Sequence, residues 1–177
     1  MIINEQGIAF GEYKNENVFW IERSSLYQKF SNNEIRSVEF ILFRDPNELW
    51  LIEAKSGAPK PSKQEDFNSF ITKIYEKMTH SLSLLISALI NRNVDEQAEL
   101  SHTFRQINWQ VITIKFVLVI NWDPAHPDTW LSPLRDALQR KFFEQIPAGL
   151  KIWRIQPEYS VIVINQKMAM KYGLIAR

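Results

Sequence analysis

Residues 37–56, SVEFILFRDPNELWLIEAKS, are two apolar runs on either side of a turn, with acids and a lysine set among the hydrophobes. Val38, Phe40, Ile41, Leu42 and Phe43 form a β-branched and aromatic run. Asp45, Pro46 and Asn47 supply turn chemistry, and Leu49, Trp50, Leu51 and Ile52 form the returning run. The pattern predicts a β-hairpin with Glu39 on its first strand and Glu53 and Lys55 on its second. Charged groups in such strands are costly to bury unless they are paired, hydrogen-bonded or bound to a metal. Strand side chains alternate, so Glu53 and Lys55 share one face while Trp50, Ile52 and Ala54 take the other. Glu39 joins Glu53 only if the hairpin loop has an odd length. A three-residue loop, Pro46-Asn47-Glu48, with Pro46 at the first corner of a type I turn, meets that condition. It places Glu39 opposite Lys55 and diagonal to Glu53.

Two carboxylates converging on one sheet face repel each other unless a cation lies between them. Mg²⁺ suits such a site, because it takes hard oxygen ligands, keeps several waters and bridges to a substrate phosphate. The stretch VEFILFRDPNELWLIEAKS resembles the acid, hairpin and E-x-K core of the PD-(D/E)xK nuclease superfamily. That resemblance implies a restriction-endonuclease-like fold and phosphodiester hydrolysis dependent on Mg²⁺ or Mn²⁺. Glu39, Glu53 and Lys55 are the implied catalytic residues. Glu39, Glu53 and the Ala54 carbonyl are the implied metal ligands. Glu39 stands where many members carry Asp, and no Pro precedes it. Some members add an upstream acid; Glu12, Glu22 and Glu34 are the candidates here, with Glu22 the best placed at the exit of a strand.

At 177 residues and 45% hydrophobic and 23% charged content, the chain has the size and composition of a single soluble domain. A net charge of +1 means that a nucleic-acid surface has to be local. The absence of Cys removes disulfides, thiolate metal sites and a cysteine nucleophile together. Neither a signal-peptide pattern nor a bilayer-length apolar run is present, so the expected location is cytoplasmic, with no membrane partner.

Outward from the hairpin, Ile8–Tyr13 and Val18–Arg23 read as two short strands of a first hairpin, followed by a short helix from Ser24 to Phe30 with a serine cap. After Lys55, Gly57, Pro59 and Pro61 enforce a loop whose Lys60 and Lys63 are candidate phosphate contacts. Phe67, Phe70, Ile71, Ile74, Met78, Leu82, Leu85, Ile86 and Leu89 recur at helical spacing and predict a helix from about Gln64 to Asn91. Lys73 and Lys77 fall away from that stripe, and His80 has no spaced ligands around it. A shorter polar helix is expected within Asp95–Thr103. Val111–Ile120, VITIKFVLVI, predicts a strand buried on both faces. A proline-rich loop follows, with Trp122, His126 and Trp130 as candidate stacking groups. Ser132-Pro133 reads as the start of a helix through about Gln145. Leu150–Ile155 and Tyr159–Ile164 read as strands, and Asn165 as the cap of a last helix near Gly173.

The order predicts a mixed α/β domain with helices covering a central sheet. The expected function is a metal-dependent nuclease acting on nucleic acid, DNA before RNA, with a protein partner or homodimer compatible with it. Two other functions compete. One is a non-catalytic nuclease-like module that binds protein or nucleic acid; the other is a structural subunit with an aromatic interface.

Overall fold

The computed structural model describes residues 1–44, 46–92, 99–121, 128–145 and 155–175. Asp45 of the hairpin turn, residues 95–98 of the Asp95–Thr103 segment, Trp122 and His126, and nearly all of the Leu150–Ile155 strand lie outside the described residues.

The first hairpin joins β1 (Ile3–Glu5) to β2 (Ile8–Phe10). Gln6 at φ 52° and Gly7 at φ 76° provide the two left-handed residues that a tight two-residue loop requires. This corrects the expected pairing of Ile8–Tyr13 with Val18–Arg23. The strand β3 (Val18–Phe19) instead pairs antiparallel with β4 (Phe40–Arg44), where Val18 and Phe19 are buried beside Leu42 and Ile41. Between them, Ser24 caps α1 (Ser25–Phe30) by accepting from the Tyr27 N–H.

The main sheet has the order β3-β4-β5-β6-β7, where β5 is Glu48–Lys55, β6 is Thr113–Ile120 and β7 is Val161–Asn165. Strands β3, β4 and β5 run antiparallel, whereas β5, β6 and β7 are parallel neighbours. The architecture is therefore a mixed five-stranded α/β sheet flanked by helices. The apolar run of β6 places it inside the sheet, as expected, although the strand begins at Thr113 and leaves Val111 exposed.

One long helix, α2 (Gln64–Leu89), carries the chain from β5 toward β6. Its Phe67, Ile71, Ile74, Met78 and Leu85 stripe packs on Ile41, Leu49, Leu51, Phe116, Leu118 and Ile120. The single-turn α3 (His102–Arg105) adds Phe104 to this core. A short turn at Asp128–Trp130 leads into α4 (Leu131–Gln145), so Ser132 lies inside the helix rather than at its cap. Phe142 of α4 stacks on Phe116 with centroids 4.6 Å apart and meets Tyr75 edge-on. The opposite sheet face, with Phe40, Leu42, Trp50, Ile52, Ala54, Val117 and Val119, is covered by the β1–β2 hairpin and α6 (Gln166–Lys171). Tyr159 and Ser160 belong to a helical turn, α5 (Pro157–Ser160), which replaces the start of the expected Tyr159–Ile164 strand. Asn165 caps α6 as expected, its side chain accepting from the Met168 N–H at 2.8 Å. Among the described residues, no helix is long and apolar enough to cross a membrane.

Candidate metal and active site

The hairpin β4–β5 pairs Phe40 with Ile52 and Arg44 with Glu48. Its loop thus holds three residues, 45–47, rather than Pro46-Asn47-Glu48. Glu48 stays in the strand, where its carboxylate accepts from the Trp50 indole N–H at 2.9 Å. The parity needed to bring the acids to one face is kept, but the register moves. The ladder ends at Phe40, and Glu39 lies in a bend just before it, where its N–H donates to the Ile52 carbonyl at 3.1 Å; Glu39 is therefore not on the strand opposite Lys55, as the three-residue loop had placed it.

Both acids are buried, Glu39 at 3% exposure and Glu53 at 0%, and Glu53 faces α2, whose Lys77 reaches it. Lys55 shares that face and places its Nζ 2.6 Å from Glu53 Oε1. Ala54, between them, turns its methyl to the opposite core. Its carbonyl is part of the strand backbone beside the site.

A second ammonium comes from the helix. Lys77 Nζ lies 2.8 Å from Glu53 Oε1 and donates to Oε2 at 3.1 Å. The expectation that Lys77 falls away from the packed face is therefore corrected: it sits at the edge of the stripe, next to Met78, and its long apolar stem carries the charge across to the strand. Ser81, one turn further, is also buried and accepts from the Val38 N–H at 2.8 Å. His80 accepts from the Arg36 N–H through Nδ1 at 3.2 Å, a structural contact. Lys77 and Ser81 at i and i+4, flanking an apolar stripe, were the available sequence signal for a helix edge that meets polar groups.

The acid cluster is wider than the sequence suggested. Glu22 lies in a 3-10 turn, Ile21–Arg23, just beyond β3. One carboxylate oxygen each from Glu5, Glu22 and Glu39 lie within 4.8 Å of one another. Of the three upstream candidates, Glu22 is the one in this group; Glu34 instead ends a helical turn in a left-handed conformation at φ 61°. Glu5, at the end of β1, was missed because nothing local in a three-residue strand shows which distant acid it will meet. Arg23 stands 3.9 Å from Glu5.

Burial pushes the Glu39 carboxyl from an ordinary 4.5 up to about 9, reinforced by a hydrogen bond with Glu22 and by the charges of Glu53 and Glu22, with Lys77 opposing. Glu5 is raised too, by burial and then by Glu22, with Arg23 opposing. Burial works to lower Lys77, but Glu53, through charge and hydrogen bond, together with Glu39 and Glu22, leaves it raised overall. Four carboxyls thus face Arg23, Lys55 and Lys77, and one proton held on Glu39 balances the set.

The donors are all hard oxygens, the set that suits Mg²⁺ or Mn²⁺. Opposite ligands of an octahedral Mg²⁺ are about 4.2 Å apart. The oxygens of Glu5, Glu22 and Glu39 lie within 4.8 Å of one another, a spacing near that range, and Glu53 is outside this group of three. Lys60 and Lys63, in the loop after β5, are exposed, and the Lys60 ammonium lies over the Trp130 ring at 5.4 Å. No protein-family model, curated protein or solved structure matches this chain.

Proposed function

We propose that the protein is a metal-dependent nuclease of restriction-endonuclease-like architecture that hydrolyses phosphodiester bonds, with DNA as the first substrate to test. The observation that carries this reading is the burial of Glu39 and Glu53, close enough for the charge of Glu53 to raise Glu39, with Lys55 at 2.6 Å from Glu53. A hairpin that needed only surface ion pairs gains about 0.2–1 kcal/mol from them and has no reason to desolvate two acids together. The order of an acid before β4, an E-x-K at the end of β5 and a long helix after it supports this reading.

Glu39 and Glu53, helped by Glu22 and the Ala54 carbonyl, would hold Mg²⁺ or Mn²⁺, and the ion supplies Lewis-acid stabilisation of charge on the phosphate. Lys55 orients the attacking water and steadies the phosphoryl oxygens. The water oxygen bonds to phosphorus as one ester P–O bond breaks; the leaving oxygen takes up a proton, and the water's proton passes to solvent. Lys60 and Lys63 contact flanking phosphates, an electrostatic role that needs no base reading.

The neutralisation of Glu53 by two ammoniums favours a second reading, a non-catalytic module of the same architecture that binds protein or nucleic acid. One assay separates the two. Single- and double-stranded DNA and RNA are incubated with the protein and Mg²⁺, Mn²⁺ or EDTA, beside Lys55→Ala. Metal-dependent cleavage that drops about 10²- to 10⁴-fold in Lys55→Ala supports the nuclease. Cleavage at full rate in that variant, or no cleavage with retained nucleic-acid or protein binding, rejects it.

A further inference from the structure

Glu53 is a fully buried acid on the central strand, and it carries two ammonium groups where one would neutralise it. Lys55 approaches Oε1 alone, whereas Lys77 spans both oxygens, at 2.8 and 3.1 Å, the place a chelated cation takes on a carboxylate. Both ammoniums stand at ion-pair distance from Oε1. Glu53 cannot leave, since its strand is paired on both sides and it has no solvent path. Lys77 can: its side chain is 18% exposed, and its four-carbon stem swings from a fixed helix.

We propose that Lys77 is a built-in stand-in for the divalent ion at Glu53, holding the carboxylate in the metal-free protein and yielding it when the ion arrives. The proposal rests on the nuclease reading and deepens it by naming the residue against which the metal competes. Binding of a dication beside Lys55 and Lys77 sets three positive centres around one carboxylate, and repulsion of this kind at about 4 Å is large even at the effective dielectric of a protein. The released ammonium remains within reach of the site's rim, where the anionic backbone of a nucleic acid takes over as its partner. Lys77 is therefore a positioning residue with opposite effects on its two ligands, weakening metal binding and strengthening substrate binding.

The test is calorimetric titration of Mg²⁺ and Mn²⁺ into wild type, Lys77→Met and Lys77→Arg without nucleic acid, with melting curves in EDTA and in metal. Lys77→Met is expected to bind metal roughly tenfold or more tightly than wild type. Its melting temperature in EDTA should fall, and metal should raise it by more than in wild type. Lys77→Arg, which keeps the charge, should not gain affinity. A lysine with a merely structural role predicts unchanged or weaker metal binding in Lys77→Met, and that result overturns the proposal while wild-type binding leaves the metal site standing. Absence of metal binding in every protein overturns the nuclease reading and this proposal with it. Should Lys77→Met not fold in EDTA, folding on addition of Mn²⁺ supports the exchange, and failure to fold at saturating Mn²⁺, in both Lys77→Met and Lys77→Gln, overturns it.

Discussion

Replacing Glu39 by Gln should stabilise the metal-free protein at neutral pH, although it removes an acid from a site built of acids. Glu39 is 3% exposed and holds its proton to about 9 in the fold, against 4.5 for an ordinary carboxyl. Between those values the native state binds a proton that the unfolded chain has released. The stability linked to this group is therefore fully present below pH 4.5 and is lost as pH rises toward 9. Each pH unit in that window costs about 1.4 kcal/mol, so by pH 7 the loss is about 3 kcal/mol. Gln has the shape of the protonated acid, can donate to Glu22 as the acid does, and has no proton to lose. Urea unfolding of wild type and Glu39→Gln in EDTA, from pH 4.5 to 9, measures the difference. The two should be equally stable near pH 4.5 and separate steadily above it, with the variant ahead by about 3 kcal/mol at pH 7. A variant less stable than wild type at pH 7, or one with the same pH slope as wild type, would show that Glu39 is ionised in the fold and refute the reasoning.

Three further outcomes are expected. Mg²⁺ or Mn²⁺ at about a hundred times its Kd should add about 2.7 kcal/mol to wild-type stability and nothing to Glu53→Gln, as read from melting curves with and without an oligonucleotide. Ser81→Ala leaves the buried Val38 N–H without its acceptor, now at 2.8 Å, and should cost about 1–3 kcal/mol in urea unfolding. Lys60→Gln combined with Lys63→Gln should weaken nucleic-acid binding without regard to sequence and reduce the salt slope of log Kd by about two, measured by titration at several ionic strengths.

Alternation along residues 37–56 was enough to determine that Glu53 and Lys55 face away from Trp50, Ile52 and Ala54, because a strand's period of two is a property of its own backbone. The helix over Gln64–Leu89 was legible from its apolar spacing, and the Ser24 and Asn165 caps from their position ahead of short helical runs. Tertiary structure decided the rest. Which residue Glu39 faces depends on where the loop begins, and Arg44 and Glu48 pair rather than enter the turn. Val18 and Phe19 left the local hairpin for β4, a choice made by burial against residues more than twenty positions away. Glu5 and Lys77 reach the site from a separate hairpin and from the helix edge. Local periodicity shows which face a residue takes; what it meets across a core depends on how whole elements pack, and that is set only when distant apolar surfaces are buried together.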